Sequence, residues 1–111
     1  MTFNETLEKT RELAKTVKSP SNDYFIAVQI NLTGENGGVF YIEFLNGKIN
    51  IEPYEYIDKN CAINISPEDF IKLITQKLDP VVAFTTKKLT VDGDVGKALE
   101  FSNVLKNNTV K

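Results

Sequence analysis

The sequence predicts an α+β fold: a five-stranded, mainly antiparallel sheet with helices packed on one face. Three observations predict it. Apolar residues alternate with period two from Tyr24 to Ile51, interrupted by turn signals. Helical periodicity flanks that block, in residues 2–19 and 66–78. A last alternating segment around Leu89 and Val91 is followed at once by a second helical pattern.

The first helix is expected over 2–19. Thr2 and Glu5 have capping-box spacing. Phe3, Leu7, Ala14 and Val17 form a narrow apolar stripe with Leu13 at its border, and "PSND" at 20–23 ends it. Three meandering strands follow. Tyr24, Ile26, Val28, Ile30 and Leu32 share one face of the first; Phe40, Ile42 and Phe44 share one face of the second; Ile49 and Ile51 face inward on the third. "TGENGG" at 33–38 makes the first connection. Asn46-Gly47 makes the second and is the strongest short hairpin signal. A loop, "EYIDKN", leads to a short fourth strand, "CAINI".

Ser66 is placed to cap the next helix, with Pro67 at its first position and Glu68 and Asp69 near its positive end. Its apolar residues are Phe70, Ile71, Leu73, Ile74 and Leu78, and Pro80 is expected to interrupt it. "VVAFTT" reads as a short helix and "KLTVD" as the fifth strand. Asp94 caps a last helix with Val95, Ala98, Leu99 and Ser102 on one face. Residues 1–105 then form one domain and 106–111 a flexible tail.

The composition narrows function. At 111 residues the chain is one domain with one core. Its net charge of −2 gives no basic face of the kind a nucleic-acid binder shows, so nucleic acid is excluded as a partner. There is no histidine, which removes the commonest general base and metal ligand. A single cysteine, Cys61, permits no internal disulfide and has no histidine to activate it, so it reads as a small core residue. No catalytic residue, metal site or cofactor is expected. The start of the chain is not a signal peptide and no stretch approaches a membrane span, so the expected setting is the cytoplasm. Transient membrane contact stays open; stable insertion does not.

Two signals invite a functional reading and favour a structural one. "DGDVG" at 92–96 lacks the third glycine of a dinucleotide fingerprint and the Gly-Lys-Ser/Thr of a Walker loop, and its aspartates repel phosphate. It reads as a corner, with Gly93 making the turn and Gly96 admitting a close neighbour. Glu52, Glu55 and Asp58, with Tyr54 and Tyr56, read as a solvated rim.

Residues 61–105 resemble the sterol carrier protein type 2 family. The resemblance rests on an acidic helix start, "KLDP" at 77–80, Ala83-Phe84, Lys88-Leu89, Gly93-Asp94-Val95-Gly96 and Ala98. With the meander and the first helix it covers nearly the whole chain. Where the family often has glycine, Gln76 precedes Lys77 and Lys87 precedes Lys88. The peroxisomal C-terminal tripeptide of eukaryotic members is absent. A composition rich in lysine, asparagine and isoleucine points to a bacterial source, so the family's "sterol" is not carried over.

The resemblance implies an SCP-2-like fold that binds and carries a lipid, fatty acid or isoprenoid without chemistry, in a tunnel between sheet and helices. Its expected apolar lining is Phe40, Ile42, Ile51, Phe70, Ile74, Leu78, Val81, Val82, Phe84, Val95 and Leu99. Lys87 and Lys88 lie near the expected mouth. Burying about sixteen carbons at ~0.8 kcal/mol per methylene yields roughly 12 kcal/mol gross, part of which is lost with the ligand's freedom. The alternative is a ligand-free interaction or accessory module assisting a lipid-metabolising enzyme. Oligomeric state and protein partner are not legible.

Overall fold

The computed structural model describes residues 2–107. The first helix, α1 (Phe3–Ala14), starts with the expected capping box: the Glu5 amide donates to the Thr2 hydroxyl at 3.2 Å and the Thr2 amide to Glu5 Oε1 at 2.9 Å. It ends at Ala14, five residues short of the expected limit. Lys15, Thr16 and Val17 donate to carbonyls only three residues back. Two successive β-branched residues and the approaching Pro20 tighten and then stop the helix.

The five strands are β1 (Ile26–Leu32), β2 (Gly38–Leu45), β3 (Lys48–Glu52), β4 (Cys61–Ile65) and β5 (Leu89–Gly93). They lie in the order β3-β2-β1-β4-β5. Three pairings are antiparallel; β1 and β4 are parallel, with Val28 opposite Cys61 and Leu32 opposite Ile65. The sheet is therefore mixed but mostly antiparallel. Asn46 and Gly47 turn β2 into β3 with φ of 54° and 80°, as the primed hairpin turn demands.

Period-two alternation places Ile26, Val28 and Ile30, Phe40, Ile42 and Phe44, and Ile63 and Ile65 in one buried cluster, closed from above by Phe70, Leu73, Ala83, Ala98 and Phe101. The rings interlock edge to face: Phe40 meets Phe70 at 5.5 Å and Phe44 meets Phe101 at 6.5 Å. The opposite sheet face is polar. Gln29 donates to Asn31, Asn31 to Asn64, and Asn64 to Thr90 and Asp92. The loop after β3 crosses this face: the Tyr56 amide donates to Gln29 Oε1, its hydroxyl to Glu43 at 2.5 Å, and its ring stands on Tyr41. Tyr56 therefore covers the polar side of the sheet.

The helical layer adds α2 (Pro67–Ile74), α3 (Pro80–Thr85) and α4 (Val95–Asn107). Ser66 caps α2 and Asp79 caps α3. Leu78 is not part of α2. That helix closes at Thr75, and Gln76 turns left-handed with φ of 65°. The Lys77 amide then reaches the Lys72 carbonyl at 2.8 Å, and the Gln76 amide reaches Leu73. The same closure repeats at the end of α3, with Lys87 at φ 62°, Lys88 donating to Ala83 and Lys87 to Phe84. Both ends are Schellman motifs. So α2 stops through local closure, four residues before Pro80.

Gly93 is the expected corner. Its φ is 100°, and a Cβ there would sit 3.3 Å from the Asn60 carbonyl oxygen and the Cys61 Cα. Gly96 is not a close-approach position, because a Cβ would meet only the Asp94 carboxylate, at 3.1 Å. The inner face of α4 also differs from expectation. Ala98 and Ser102 are buried, but so are Phe101 and Val104, while Val95 and Leu99 are half exposed. α4 takes in Lys106 and Asn107, the first residues of the expected tail; 108–111 lie outside the described residues.

Candidate functional site

Apolar space under the helices lies in two pockets at opposite edges of the sheet. The first, about 260 Å³, is lined by Ile63, Leu89 and Val91 from β4 and β5, by Pro80, Val81 and Phe84 from α3, and by Val95, Ala98, Leu99 and Ser102 from α4. Its one hydroxyl, Ser102, donates to the Ala98 carbonyl at 3.2 Å. This pocket therefore offers a ligand no free side-chain donor. At its rim Val81, Phe84, Val95 and Leu99 are 44% to 55% exposed, an unusual concentration of large apolar side chains.

The second pocket, also about 260 Å³, lies between the end of α1, the end of α2 and strands β2 and β3. Ile42, Ile49, Ile51, Ile74, Leu13 and Leu105 are its large aliphatic wall, joined by Ala14, Val17 and Gln76. Thr10, Thr16 and Thr75 also line it, yet each hydroxyl donates to a carbonyl of its own chain segment, at 2.7, 2.7 and 2.6 Å. The central strand β1 lines neither pocket.

The eleven residues of the expected lining divide accordingly. Val81, Phe84, Val95 and Leu99 meet at the first pocket. Ile42, Ile51 and Ile74 meet at the second. Phe40 and Phe70 are fully buried against one another and line neither. Leu78 is partly buried and packed on the core, and Val82 is exposed on α3; they too line neither. Lys87 and Lys88 are exposed at the α3–β5 turn and are absent from the first pocket's wall. Sequence periodicity missed Ile49, Leu89 and Ala98 as lining, although it marked all three as inward-facing.

The remaining candidates are structural. Burial pushes the Cys61 thiol up to about 11, away from nucleophilic chemistry. Tyr24 hydroxyl donates to Glu100 at 2.5 Å, tying the start of β1 to α4. That bond, assisted by Lys97, holds the Glu100 carboxyl below its ordinary value. Among the described residues, no group of three or more His, Cys, Asp or Glu side chains is placed to hold a metal ion.

A mixed five-stranded sheet with four helices on one face and apolar pockets beneath them defines a small α+β domain of the SCP-2-like class. The SCP-2 sterol transfer family matches residues 3–106, and the chain belongs to that family, one of lipid-binding and lipid-transfer domains. The hydroxysteroid dehydrogenase-like protein 2 of Xenopus tropicalis is 31% identical over 101 residues, covering 86% of this chain and 24% of that protein. The chain spans only about a fifth to a quarter of the curated relatives it matches first. Among solved structures, the UbiJ-SCP2 ubiquinone synthesis protein superposes with a TM-score of 0.72 at 16% identity, over 93% of this chain and 94% of that one. The sterol carrier protein-2 like-3 of Aedes aegypti superposes with 0.69 at 16% identity, over 95% and 97%. At those identities the likeness concerns the fold.

Proposed function

We propose that this domain binds and carries an apolar lipid, such as a fatty acid, acyl chain or isoprenoid, beneath its helical layer without chemical change. The observation that carries this reading is the first pocket, whose only side-chain hydroxyl is already bonded to its own helix. Val81, Phe84, Val95 and Leu99 are the proposed contacts. Each pocket falls just below the ~300–1,000 Å³ usual for small-molecule sites, so uptake of a long chain requires α3 or α4 to move outward. α4 lines both pockets, through Val95–Ser102 at one and Leu105 at the other. Its displacement would join the two spaces into one tunnel.

Native mass spectrometry of the purified protein, followed by organic extraction, tests this. A near-stoichiometric acyl or isoprenoid adduct is the expected result. A ligand-free mass, with no thermal shift on adding fatty acids and isoprenoids, would sink it. One finding favours a second reading. The curated relatives are several times longer than this chain and bear a dehydrogenase-like name, which fits an accessory module acting beside a lipid-metabolising enzyme. Stable co-purification with such an enzyme, by a ligand-free domain, would mark that case.

A further inference from the structure

An open sheet has two edges, and here they differ. Across the two-residue hairpin Leu45 pairs with Lys48, so Ile49 and Ile51 turn their backbone groups outward on the β3 edge. Arg11 of α1 covers that edge: its Nε and Nη2 donate to the Ile51 carbonyl at 3.1 and 2.9 Å, and its guanidinium pairs with Glu8 and Glu52. A charged side chain on an edge group discourages strand addition. The β5 edge has no such cover among the described residues. The Asp94 amide donates inward to the Asn60 carbonyl at 3.3 Å. Alternation along the ladder then points the backbone groups of Thr90 and Asp92 at β4 and those of Leu89, Val91 and Gly93 outward. Nothing among the described residues bonds to those outward groups. The helix α3 packs on this same strand and leaves Val81, Val82 and Phe84 exposed.

We propose that β5 is a dimerisation edge, pairing antiparallel with β5 of a second copy about a twofold axis at Val91 and joining two sheets into one. The occupant follows from the strand's own sequence, which complements itself when reversed. Centred on Val91, the pair sets Val91 against its twin, Leu89 against Gly93, Thr90 against Asp92 and Lys88 against Asp94. Each end therefore brings a lysine to an aspartate, which cross-strand pairing favours. Asp94 Oδ1 already accepts from the Lys97 amide at 3.1 Å, and Oδ2 is the atom that meets the lysine. The outward groups of Val91 exchange two hydrogen bonds with those of its twin. A one-residue slip would set inward side chains against outward ones, which the buried face forbids. The axis is perpendicular to the sheet, so both helical layers lie on one side. The two α3 helices then meet and cover Val81, Val82 and Phe84. A short strand and one small helix make an interface at the low end of the specific range, so monomer and dimer exchange.

The test is sedimentation equilibrium of the full chain at low salt, over micromolar to millimolar concentrations, joined to hydrogen exchange and isotope-filtered NMR contacts. The mass should rise from the 12.5 kDa of one chain towards twice that. The Leu89 and Val91 amides should gain protection with concentration, and Thr90 Hα should contact Asp92 Hα of a differently labelled copy. Lys88→Glu makes both end pairs repulsive and should weaken association about tenfold. Lys88 is exposed at a turn, so this variant should fold as the wild type does, which its amide spectrum checks. Adding Asp94→Asn removes the repulsion, keeps a capping side chain and should recover part of the loss. Lys9→Glu, the same charge change on α1, should alter association less than about twofold. A one-chain mass at every concentration would overturn the proposal. So would a dimer whose protected amides lie at residues 48–52 or on α1, or equal weakening by Lys88→Glu and Lys9→Glu.

Discussion

Gln76 and Lys87 occupy left-handed backbone positions with φ of 65° and 62°. An L-residue there costs roughly 1–2 kcal/mol, part of which glycine would return as extra freedom in the unfolded chain. Gln76→Gly and Lys87→Gly should therefore each stabilise the protein by a few tenths to about 1 kcal/mol, measured by urea unfolding. A loss of stability in both would mean that the side chains contribute packing of their own. The Tyr24–Glu100 bond gives a pH-dependent prediction. The folded state holds the Glu100 carboxyl below its ordinary value. That contribution is complete above the unfolded carboxylate pKa, near ~4.3, and is lost as pH falls through the folded value. Tyr24→Phe should be less stable than wild type at neutral pH, and the gap should close on acidification. A gap independent of pH would refute this assignment.

Elements were legible wherever a local signal fixed them. The Thr2–Glu5 box, the Ser66 and Asp94 caps and the Asn46-Gly47 turn all depend on neighbours within four residues. The Asp94 side chain accepts from the Lys97 amide at 3.1 Å, and its carbonyl from the Ala98 amide at 3.1 Å. Asp94→Ala should cost about 1 kcal/mol and shift thermal unfolding downward; no change would mean that the Gly93 corner alone holds the start of α4. What was misread at this scale has physical causes too. The stripe through Val95, Ala98, Leu99 and Ser102 and the one through Ala98, Phe101 and Ser102 overlap on the same helix. Sequence spacing does not choose between them. The choice comes from Phe44, whose ring meets Phe101 edge to face. Leu78 continued the α2 pattern in register, yet the Schellman closure at Gln76 took it off the helix.

At the scale of the molecule, apolar space follows strand order. The β3-β2-β1-β4-β5 arrangement puts Ile51 and Leu89 at opposite edges of the sheet, with Phe40, Phe70, Phe44 and Phe101 filling the middle. Large rings at the centre and aliphatic side chains at the margins leave pockets at the margins. Leu99→Trp probes the first of them. Leu99 is 45% exposed, so a larger ring can lie across the pocket without the ~1–3 kcal/mol cost of overpacking a closed core. The variant should fold with near wild-type stability and lose affinity for apolar lipid. Unchanged affinity in a folded variant would place the ligand elsewhere.

The sequence by itself determined what period and local chemistry encode. It specified five strands and their inward residues, four helices with three of their caps, a corner at Gly93 and a chain without histidine. These depend on contacts within a few residues, or on the strict two-residue period of a half-buried strand. The tertiary structure decided the rest: the parallel pairing of β1 with β4, the amide ladder on the outer sheet face, and the division of one expected lining into two pockets and a solid centre. Each joins residues tens of positions apart, such as Gln29 with Tyr56 or Ile42 with Leu105. Periodicity states which way a side chain points. Only the order of the strands and the packing of the rings decide what it meets there.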